Sequence, residues 1–460
     1  MNESSAARAA LNKFFGFADF RAGQREVIDS VLAGHDTIVV MPTGGGKSLC
    51  YQLPALMFDG ATVVVSPLIA LMKDQVDALQ ARGLPATFIN SSLDFEEQKA
   101  RLGALRRGEC KIIYVAPERF RSQHFIDALR NAQVSLFAID EAHCISHWGH
   151  DFRPDYLRLK TALEEIGRPQ VVALTATATP YVRADIIEQL DLREPHAFVS
   201  GFDRPNLAIN VIHTQKEREK IAHIKRLAAG GGSGIIYTQT RKSVEGVARL
   251  LRGANLSVVA YHAGMDDAAR VAAQEDFMTS RRQMIVATNA FGMGIDKSDI
   301  RFVAHFHLPG SIEAYYQEIG RAGRDGQPAT CALLFNYADK RTQDYFIEGS
   351  FPSPESIVKV YQALAGVGSS RIELTSREIA ARSGVRNEMA VQSALVILEK
   401  AGHLERGHAA AANEAEGTAN GRRTRGNTLL DDAPVRNLRV QPQELARRAA
   451  LEQRKLREMI

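Results

Sequence analysis

Two short motifs, each placed directly after an apolar run, constrain most strongly what this chain can fold into. Residues 41–48 read Met-Pro-Thr-Gly-Gly-Gly-Lys-Ser and follow the apolar run 37–40. Residues 140–143 read Asp-Glu-Ala-His and follow the apolar run 134–139. In parallel sheets the functional groups collect at the carboxyl ends of the strands. The pair of motifs therefore predicts an α/β fold in which both motifs serve one site.

The first motif has the composition of a phosphate-binding loop. Backbone N–H groups in a glycine-rich turn can surround phosphate oxygens. Lys47 would then place a positive charge at the β- and γ-phosphates, and the Ser48 hydroxyl would reach Mg²⁺. Met41 stands where the first glycine of the general pattern usually lies. An ordinary solvated turn is the alternative reading of this segment taken alone.

The second motif supplies the acids that triphosphate hydrolysis requires. Asp140 would position the metal ion, and Glu141 would act as the base for the attacking water. A surface cluster of acids is the alternative. Because both motifs follow strands, the sequence predicts a nucleoside-triphosphate hydrolysis site.

The bulk composition is that of a soluble, globular protein with two or three domains. The chain has 460 residues, too many for one ordinary core, with 45% hydrophobic and 24% charged residues. Its net charge of +4 permits nucleic-acid binding without demonstrating it. The four cysteines form no C-x-x-C pair, so neither zinc nor a disulfide framework is indicated. With no apolar leader and no bilayer-length apolar run, a cytoplasmic location without a membrane partner is expected.

Short β-branched runs alternate with helical patterns in two successive stretches of the chain. The first covers about 8–200, and the connector 201–206 separates it from a second that reaches about residue 337. Such alternation predicts two tandem α/β domains. Besides the two runs named above, the predicted strands are 61–65, 111–115, 171–174, 234–238, 256–261, 284–287, 302–306 and 331–335.

The C-terminal part has mainly helical patterns. Residues 374–384, 388–400 and 403–406 predict a helix–turn–helix followed by a short strand, which is the order of a winged helix. A plain helical packing module is the alternative. Residues 408–428 are predicted to be a mobile linker, and 444–460 a basic helix.

Several further segments fit a motor acting on nucleic acid. Gln24 can pair with an adenine edge while Phe17 or Arg21 stacks on the base, although Gln24 can equally be an ordinary helix residue. Segments 66–75 and 116–119 follow strands and can contact a phosphate backbone. The hydroxyls of 175–179 are suited to relaying the nucleotide state through hydrogen bonds.

The second α/β stretch offers arginines to the same site. Arg321 and Arg324 are three residues apart, and we predict that they lie on one helical face. An arginine supplied by a second lobe completes a triphosphate site when the lobes close. Salt bridges alone are the alternative. Segment 286–296 adds a glycine-rich turn and an acid, Asp296.

The segment after Asp-Glu-Ala-His is rich in aromatic residues. It places Trp148, Phe152 and Arg153 beside the hydrolytic acids, and aromatic rings stack on unpaired bases. The segment can therefore report single-stranded DNA to the hydrolysis site. A buried aromatic cluster is one alternative, and metal binding by His143, His147 and His150 is another.

These segments, in this order, resemble the RecQ family of ATP-dependent DNA helicases. The resemblance covers residues 10–340 and is carried by Phe-Arg-x-x-Gln, the phosphate loop, Asp-Glu-Ala-His with its aromatic-rich extension, Thr-Ala-Thr-Ala and Gln-Glu-Ile-Gly-Arg-Ala-Gly-Arg-Asp-Gly. It implies two RecA-like lobes, hydrolysis of Mg²⁺-ATP between them, and 3′→5′ movement on single-stranded DNA.

The resemblance also implies a role for each matched residue. Nucleotide binding is assigned to Phe17, Arg21, Gln24, Thr43, Gly44, Gly45, Gly46, Lys47, Ser48 and Asp296. Hydrolysis is assigned to Lys47, Asp140, Glu141, Arg321 and Arg324, with Ser48 and Asp140 as metal ligands. Coupling to DNA is assigned to His143, Trp148, Phe152 and Arg153.

The chain departs from the family at its C-terminal end. Members usually carry a four-cysteine zinc module after the second lobe, but no cysteine follows Cys331 here, so zinc is not supported. The predicted domains are lobe 1 at 1–200, lobe 2 at 201–345, a winged helix at 346–407, and a linker with a basic helix at 408–460. The last segment resembles the helix that leads into the zinc module, so the natural chain is expected to continue.

The function predicted from the sequence is that of a monomeric helicase for DNA repair and recombination. Its substrates would be single-stranded and forked duplex DNA, and a single-strand-binding protein is a candidate partner. One alternative is an ATP-driven translocase that moves on DNA without efficient unwinding. A second is a DNA-binding regulator that does not hydrolyse ATP, and a third is an RNA helicase, which the aromatic-rich segment with Trp148 disfavours.

Overall fold

The computed structural model describes residues 3–146, 152–201, 203–292, 295, 297–367, 371–372, 374–406, 427–429, 450 and 454. The chain divides into two units. The first consists of Met1–Pro309 with Glu313–Leu334, and the second of Gly310–Ile312 with Phe335–Ile460. The first unit contains two successive parallel sheets, here called lobe 1 and lobe 2.

Lobe 1 is built on a parallel sheet. Its strands are β1 (Thr37–Val40), β2 (Ala61–Val65), β3 (Ala86–Ile89), β4 (Ile112–Val115), β5 (Val134–Ile139), β6 (Gln170–Thr175) and β7 (His196–Val199). Among the described residues these seven strands lie in the order β3-β4-β2-β5-β6-β1-β7, and all neighbours run parallel. The carboxyl ends of β1, β5 and β6 therefore meet at one edge.

Helices cover both faces of this sheet. They are α1 (Glu3–Phe15), α2 (Gln24–Leu32), α3 (Leu49–Met57), α4 (Ile69–Gln80), α5 (Phe95–Arg106), α6 (Gln123–Arg130), α7 (Leu159–Ile166) and α8 (Pro180–Leu190). Successive strand residues enter opposite cores; for example, Ile38 packs into one and Val39 into the other. Burial on both faces explains why these strands read as continuous β-branched runs.

A buried ion pair ties the amino-terminal ends of the lobe 1 strands together. Asp36, whose side chain is 6% exposed, accepts hydrogen bonds from Arg168 at 2.8 Å and from the N–H groups of Val171 and Arg193 at 2.8 and 2.9 Å. Removing one partner of such a pair leaves the other charge buried without compensation. The contact therefore stabilises the sheet edge opposite the motifs.

We expect Asp36→Ala to lower the free energy of unfolding of lobe 1 by about 3 kcal/mol, measured by chemical denaturation. Asp19→Ala is the matched control. Asp19 also pairs with an arginine at 2.8 Å, but its side chain is 64% exposed, so the expected loss is below about 1 kcal/mol. Equal losses for the two variants would contradict a stabilising role for the buried pair.

Lobe 2 repeats the architecture with a second sheet. Its strands are β8 (Leu207–His213), β9 (Ser233–Tyr237), β10 (Val258–Tyr261), β11 (Met284–Ala287), β12 (Ile300–His305) and β13 (Ala329–Phe335). Over the described residues these six strands take the order β10-β11-β9-β12-β13-β8, and β9 to β13 pair in parallel. Its helices are α9 (Glu217–Ala229), α10 (Arg241–Gly253), α11 (Asp267–Met278) and α12 (Ile312–Ile319).

The second unit is mainly helical. Its helices are α13 (Asp339–Ser350), α14 (Pro354–Ala365), α15 (Ser376–Ser383) and α16 (Glu388–Lys400), and its strands are β14 (Arg371–Ile372), β15 (Leu404–Arg406) and β16 (Asn427–Leu429). The strands pair antiparallel in the order β14-β16-β15. Thr375 and Asn387 cap α15 and α16 with their side chains.

The predicted fold class is confirmed. The structure has two parallel-sheet lobes followed by helices, and the predicted helix 388–400 coincides with α16. The winged-helix interpretation and the domain boundaries remain predictions. The predicted basic helix near the C-terminal end lies outside the described residues, apart from 450 and 454. Within the described part of the chain, no helix combines the length and apolar character that a bilayer crossing requires.

Candidate functional site

The glycine-rich loop lies between β1 and α3, at the carboxyl edge of the lobe 1 sheet. Gly44 and Gly46 have φ of 82° and 81°, a region that favours glycine. Gly45 is required for a different reason, because a Cβ there would stand 2.7 Å from Cγ of the buried Met41. Met41 thus replaces the usual first glycine by packing into the space that Gly45 leaves open.

Lys47 reaches back across this loop. Its Nζ donates to the carbonyl oxygens of Met41 and Pro42, at 3.0 and 3.4 Å. Desolvation lowers the pKa of the Lys47 amine, whereas the nearby carboxylates of Glu141 and Asp140 oppose that change. The cation of the first motif and the acids of the second therefore interact electrostatically.

Asp140 and Glu141 directly follow β5 at the same edge. Loss of hydration raises the pKa of Asp140 to about 7; Glu141 adds to the rise, and Lys47 opposes it. Glu141 has a φ of 50°, which is uncommon for a residue other than glycine and is often found at functional sites. Two adjacent carboxyl groups with little hydration are costly to ionise, and a cation bound near them would stabilise their ionised forms.

The oxygen donors at this edge fit Mg²⁺. Carboxylate and hydroxyl oxygens are the ligands that this ion prefers. The charge of Asp140 helps to raise the pKa of the Tyr51 hydroxyl, and that hydroxyl is hydrogen-bonded to Ser48. Both proposed ligands therefore lie near the Tyr51 side chain. Asp140 and Ser48 are therefore the residues that would hold the ion.

A series of close polar contacts leads from Glu141 to the end of β6. His143 is 1% exposed, and its Nδ1 lies 3.3 Å from a Glu141 oxygen and 2.9 Å from Thr175 Oγ1. Thr175 in turn donates to the carbonyl oxygen of Thr177 at 3.1 Å. The structure thus connects Asp-Glu-Ala-His directly with the hydroxyl segment that was predicted to relay the nucleotide state.

The segment before α2 contacts the glycine-rich loop. Gln24 is buried, and its amide nitrogen donates to the carbonyl oxygens of Gly45 and Gly46, at 3.3 and 3.1 Å. Arg21 donates to the Gly44 carbonyl oxygen at 2.6 Å. Gln24 and Arg21 therefore support the loop directly, a contact that the sequence did not reveal. Phe17 is 49% exposed.

Lobe 2 brings a basic turn, residues 320–324, against the glycine-rich loop. A Cβ on Gly44 would stand 3.7 Å from Cγ of Arg324, and a Cβ on Gly320 would stand 3.2 Å from Cβ of Thr43. Arg324 also contributes to the lowered pKa of Lys47. Arg324 of lobe 2 therefore lies beside the glycine-rich loop that carries Lys47.

Arg321 and Arg324 do not share a helical face, contrary to expectation. Helix α12 ends at Ile319, and residues 320–325 form turns. Arg321 is 4% exposed, donates to the carbonyl oxygen of Gly292, and hydrogen-bonds the Tyr237 hydroxyl. Because the helix ends before Arg321, one arginine enters the core of lobe 2 while the other lies at the loop of lobe 1.

Part of the predicted site falls outside the described residues. This applies to Trp148, to Asp296, and to His147 and His150 of the alternative metal site. Arg153 is described, and it donates to the carbonyl oxygen of Pro67 at 2.9 Å. This bond connects the end of the aromatic-rich segment with the segment 66–75. Phe152 is partly buried.

The sequence reasoning missed two groups of residues. One is a buried chain in which the Tyr51 and Tyr114 hydroxyls are 3.3 Å apart and Gln52 donates to Tyr114 and to Gln75, each at 2.9 Å. The other is Arg204, in the segment treated only as a connector. Polar residues inside the apolar stretch of α3 were the available signal for the first, and an arginine directly before Pro205 for the second.

Burial controls the reactivity of the cysteines. All four are buried free thiols. Burial raises the pKa of Cys50 and of Cys331 to about 12, and that of Cys110 to about 11. Since the thiolate is the reactive form, about one thiol in 10³ or fewer of these three is ionised at pH 8.

We therefore expect a disulfide reagent such as DTNB to modify none of the four cysteines of the native protein within minutes at pH 8. The same reagent should modify all four after denaturation in guanidinium. Rapid modification of a native thiol, located by peptide mapping, would contradict the burial of that residue.

Comparison with known proteins agrees with this geometry. The family described as DEAD/DEAH box helicase matches residues 21–185, and the helicase conserved C-terminal domain matches residues 218–326. The solved structure of the Mycobacterium smegmatis helicase Lhr has a TM-score of 0.60 at 18% identity, covering 85% of this chain and 57% of that one. The helicase MrfA has a TM-score of 0.61 at 18% identity, covering 75% and 54%. At these identities the likeness concerns the fold.

Curated relatives match at much higher identity. ATP-dependent DNA helicase RecQ of Haemophilus influenzae is 49% identical over 73% of this chain and 54% of its own length. RecQ of Bacillus subtilis is 47% identical, covering 75% and 58%. The chain thus spans little more than half the length of these relatives. The probable ATP-dependent DNA helicase RecS of Bacillus subtilis is 43% identical, covering 82% of this chain and 76% of its own length. With both helicase domains matched and these relatives aligned across them, the chain belongs to the RecQ family of ATP-dependent DNA helicases.

Proposed function

We propose that this chain hydrolyses Mg²⁺-ATP between its two lobes and uses the cycle to move 3′→5′ along single-stranded DNA and to unwind duplex DNA. The observation that carries the proposal is the position of Arg324, from lobe 2, beside Gly44 of the glycine-rich loop. A site completed by two lobes can convert hydrolysis into relative movement of those lobes. The names of the curated relatives support ATP as the fuel and DNA as the track.

Each residue at the cleft has a proposed task. The glycine-rich loop with Thr43 and Lys47 binds the phosphates, while Arg21, Gln24 and Phe17 hold the adenine. Ser48 and Asp140 hold Mg²⁺, which when bound draws charge away from the phosphates. Glu141 orients the attacking water and accepts its proton. Arg324 stabilises the charge that develops in the transition state. Asp296, which belongs to lobe 2, takes part in nucleotide binding.

The same proposal assigns domains and partners. Lobe 1 comprises 1–200, lobe 2 comprises 201–345, a winged helix comprises 346–407, and a linker with a basic helix comprises 408–460, apart from strand β16, which pairs with β14 and β15. The protein acts as a cytoplasmic monomer on single-stranded and forked DNA, in repair and recombination. A single-strand-binding protein is the proposed partner.

Two assays on one preparation test the proposal. Steady-state ATP hydrolysis should rise on addition of single-stranded DNA, and a forked duplex with a 3′ tail should be unwound in the presence of Mg²⁺-ATP. A duplex with only a 5′ tail is the control for polarity. Stimulated hydrolysis without unwinding would indicate a translocase instead, and the absence of hydrolysis would leave a DNA-binding regulator.

The aromatic-rich segment gives a further prediction. We expect Trp148→Ala to abolish the stimulation of hydrolysis by DNA while leaving ATP affinity unchanged, because stacking on a base contributes about 1–3 kcal/mol. The measurement is kcat with and without single-stranded DNA. Tyr181→Ala is the control, since Tyr181 is an aromatic residue of lobe 1 that is 82% exposed. Undiminished stimulation in Trp148→Ala would refute the coupling role.

A further inference from the structure

Arg204 connects the two lobes at the nucleotide cleft through main-chain carbonyl oxygens. Its Nη1 donates to Thr43, in the glycine-rich loop, at 3.0 Å and to Gly320 at 3.3 Å. Its Nη2 donates to Ala322 and Gly323, each at 3.0 Å. One guanidinium therefore joins the loop of lobe 1 to the turn that carries Arg324.

The carbonyl acceptors and the N–H donors of this contact explain why an arginine occupies this position. In lobe 2 Arg204 contacts carbonyl oxygens just beyond the C-terminal end of α12, where the helix dipole favours a cation. Helix α12 ends at Ile319, and the carbonyl oxygens of 320, 322 and 323 follow it in turns. The Gly323 carbonyl oxygen also accepts from the Gly326 N–H at 3.0 Å. A planar guanidinium offers several N–H groups in a fixed fork, whereas a lysine ammonium is a single point of donation.

The surrounding contacts leave little freedom for this turn. A Cβ on Gly320 would stand only 3.2 Å from the Cβ of Thr43, so the two backbones are already in close approach. Asn206 also donates to the Gly323 carbonyl oxygen, at 2.8 Å, and to that of Gln327 at 3.0 Å. Both of these Asn206 contacts lie within lobe 2. Among the residues just described, only Arg204 holds the turn by hydrogen bonds and also extends one to the loop of lobe 1.

We propose that Arg204 is a positioning residue for ATP hydrolysis, which sets the distance between the glycine-rich loop and Arg324. Its guanidinium acts through Arg324 and not on the substrate, since its terminal N–H groups are directed to main-chain oxygens. This inference rests on the proposed ATPase function. It adds the contact that holds the two halves of the site at a fixed distance from each other. Misplacement of a reacting group by about 1 Å can cost about 10²-fold in rate.

The test measures kcat and nucleotide affinity separately. We expect Arg204→Ala to lower kcat by about 10²-fold while the affinity for a fluorescent ATP analogue changes by less than about threefold, because lobe 1 binds the phosphates. Arg204→Lys should not restore kcat, because one ammonium cannot replace the fork. Asn206→Ala is the matched control: it removes one donor to the Gly323 carbonyl oxygen without cutting the link to lobe 1, and its loss of kcat should be clearly smaller.

A double-mutant cycle separates positioning from general structural damage. If Arg204 acts through Arg324, Arg204→Ala should have little further effect on single-turnover hydrolysis in an Arg324→Ala background. A loss of equal size in both backgrounds, rescue by lysine, or an unchanged kcat would overturn the inference. These outcomes differ from a failure of the proposed function, in which the parent chain itself would not hydrolyse ATP.

Discussion

Lys47→Ala is expected to lower kcat for ATP hydrolysis by at least about 10³-fold. Lys47 belongs to the glycine-rich motif itself, and its ammonium interacts with the carboxylates of Asp140 and Glu141. Alanine would remove the charge that neutralises the phosphates during bond cleavage. The measurement is steady-state hydrolysis at saturating single-stranded DNA.

Lys160→Ala is the control for this variant. Lys160 also belongs to lobe 1, but its side chain is 44% exposed and lies 3.9 Å from its acidic partner Asp191. Its removal should leave kcat unchanged. Retained turnover in Lys47→Ala would mean that the phosphates bind elsewhere.

Arg324→Ala should lower kcat by about 10³–10⁵-fold, the range seen when an arginine finger is removed from GTPases. ATP affinity should change far less, because the contact matters chiefly when charge develops on the phosphates. The two quantities are measured by single-turnover hydrolysis and by equilibrium titration with a non-hydrolysable analogue.

Two other arginines of lobe 2 make this prediction specific. Arg270 pairs only locally with Asp267, and its side chain is 36% exposed, so Arg270→Ala should hydrolyse ATP normally. Arg321 is held by the Gly292 carbonyl oxygen inside lobe 2, and its replacement should affect stability as well as rate. A fall in affinity as large as the fall in kcat for Arg324→Ala would argue against a role confined to the transition state.

Much of the fold could be predicted because the central strands are buried on both faces. Runs such as Thr37–Val40 and Val134–Ile139 are mostly apolar, with one hydroxyl residue in each, and the structure has strands with these bounds. The edge strands β3, β7 and β8 were missed. In β8 four consecutive residues are exposed, among them Ile209 and Val211, so no continuous buried run marks it.

The candidate site was predicted less completely, because its last contacts depend on tertiary structure. Spacing identified Lys47, Asp140 and Glu141, each of which follows a strand whose end lies at the shared edge. Spacing did not separate Arg321 from Arg324, because the end of α12 turns them in different directions. The role of Arg204 was also invisible, since its acceptors are main-chain oxygens, which leave no trace in side-chain patterns.

The most direct test of the account is the affinity for a transition-state analogue, measured as the dissociation constant of Mg²⁺-ADP with aluminium fluoride. The central claim is that one catalytic site is assembled from the glycine-rich loop of lobe 1 and Arg324 of lobe 2. The parent chain should bind this complex at least about 10²-fold more tightly than Mg²⁺-ADP, and Arg324→Ala should lose that difference while binding Mg²⁺-ADP normally. Equal preference for the analogue in both proteins would contradict a site shared between the lobes.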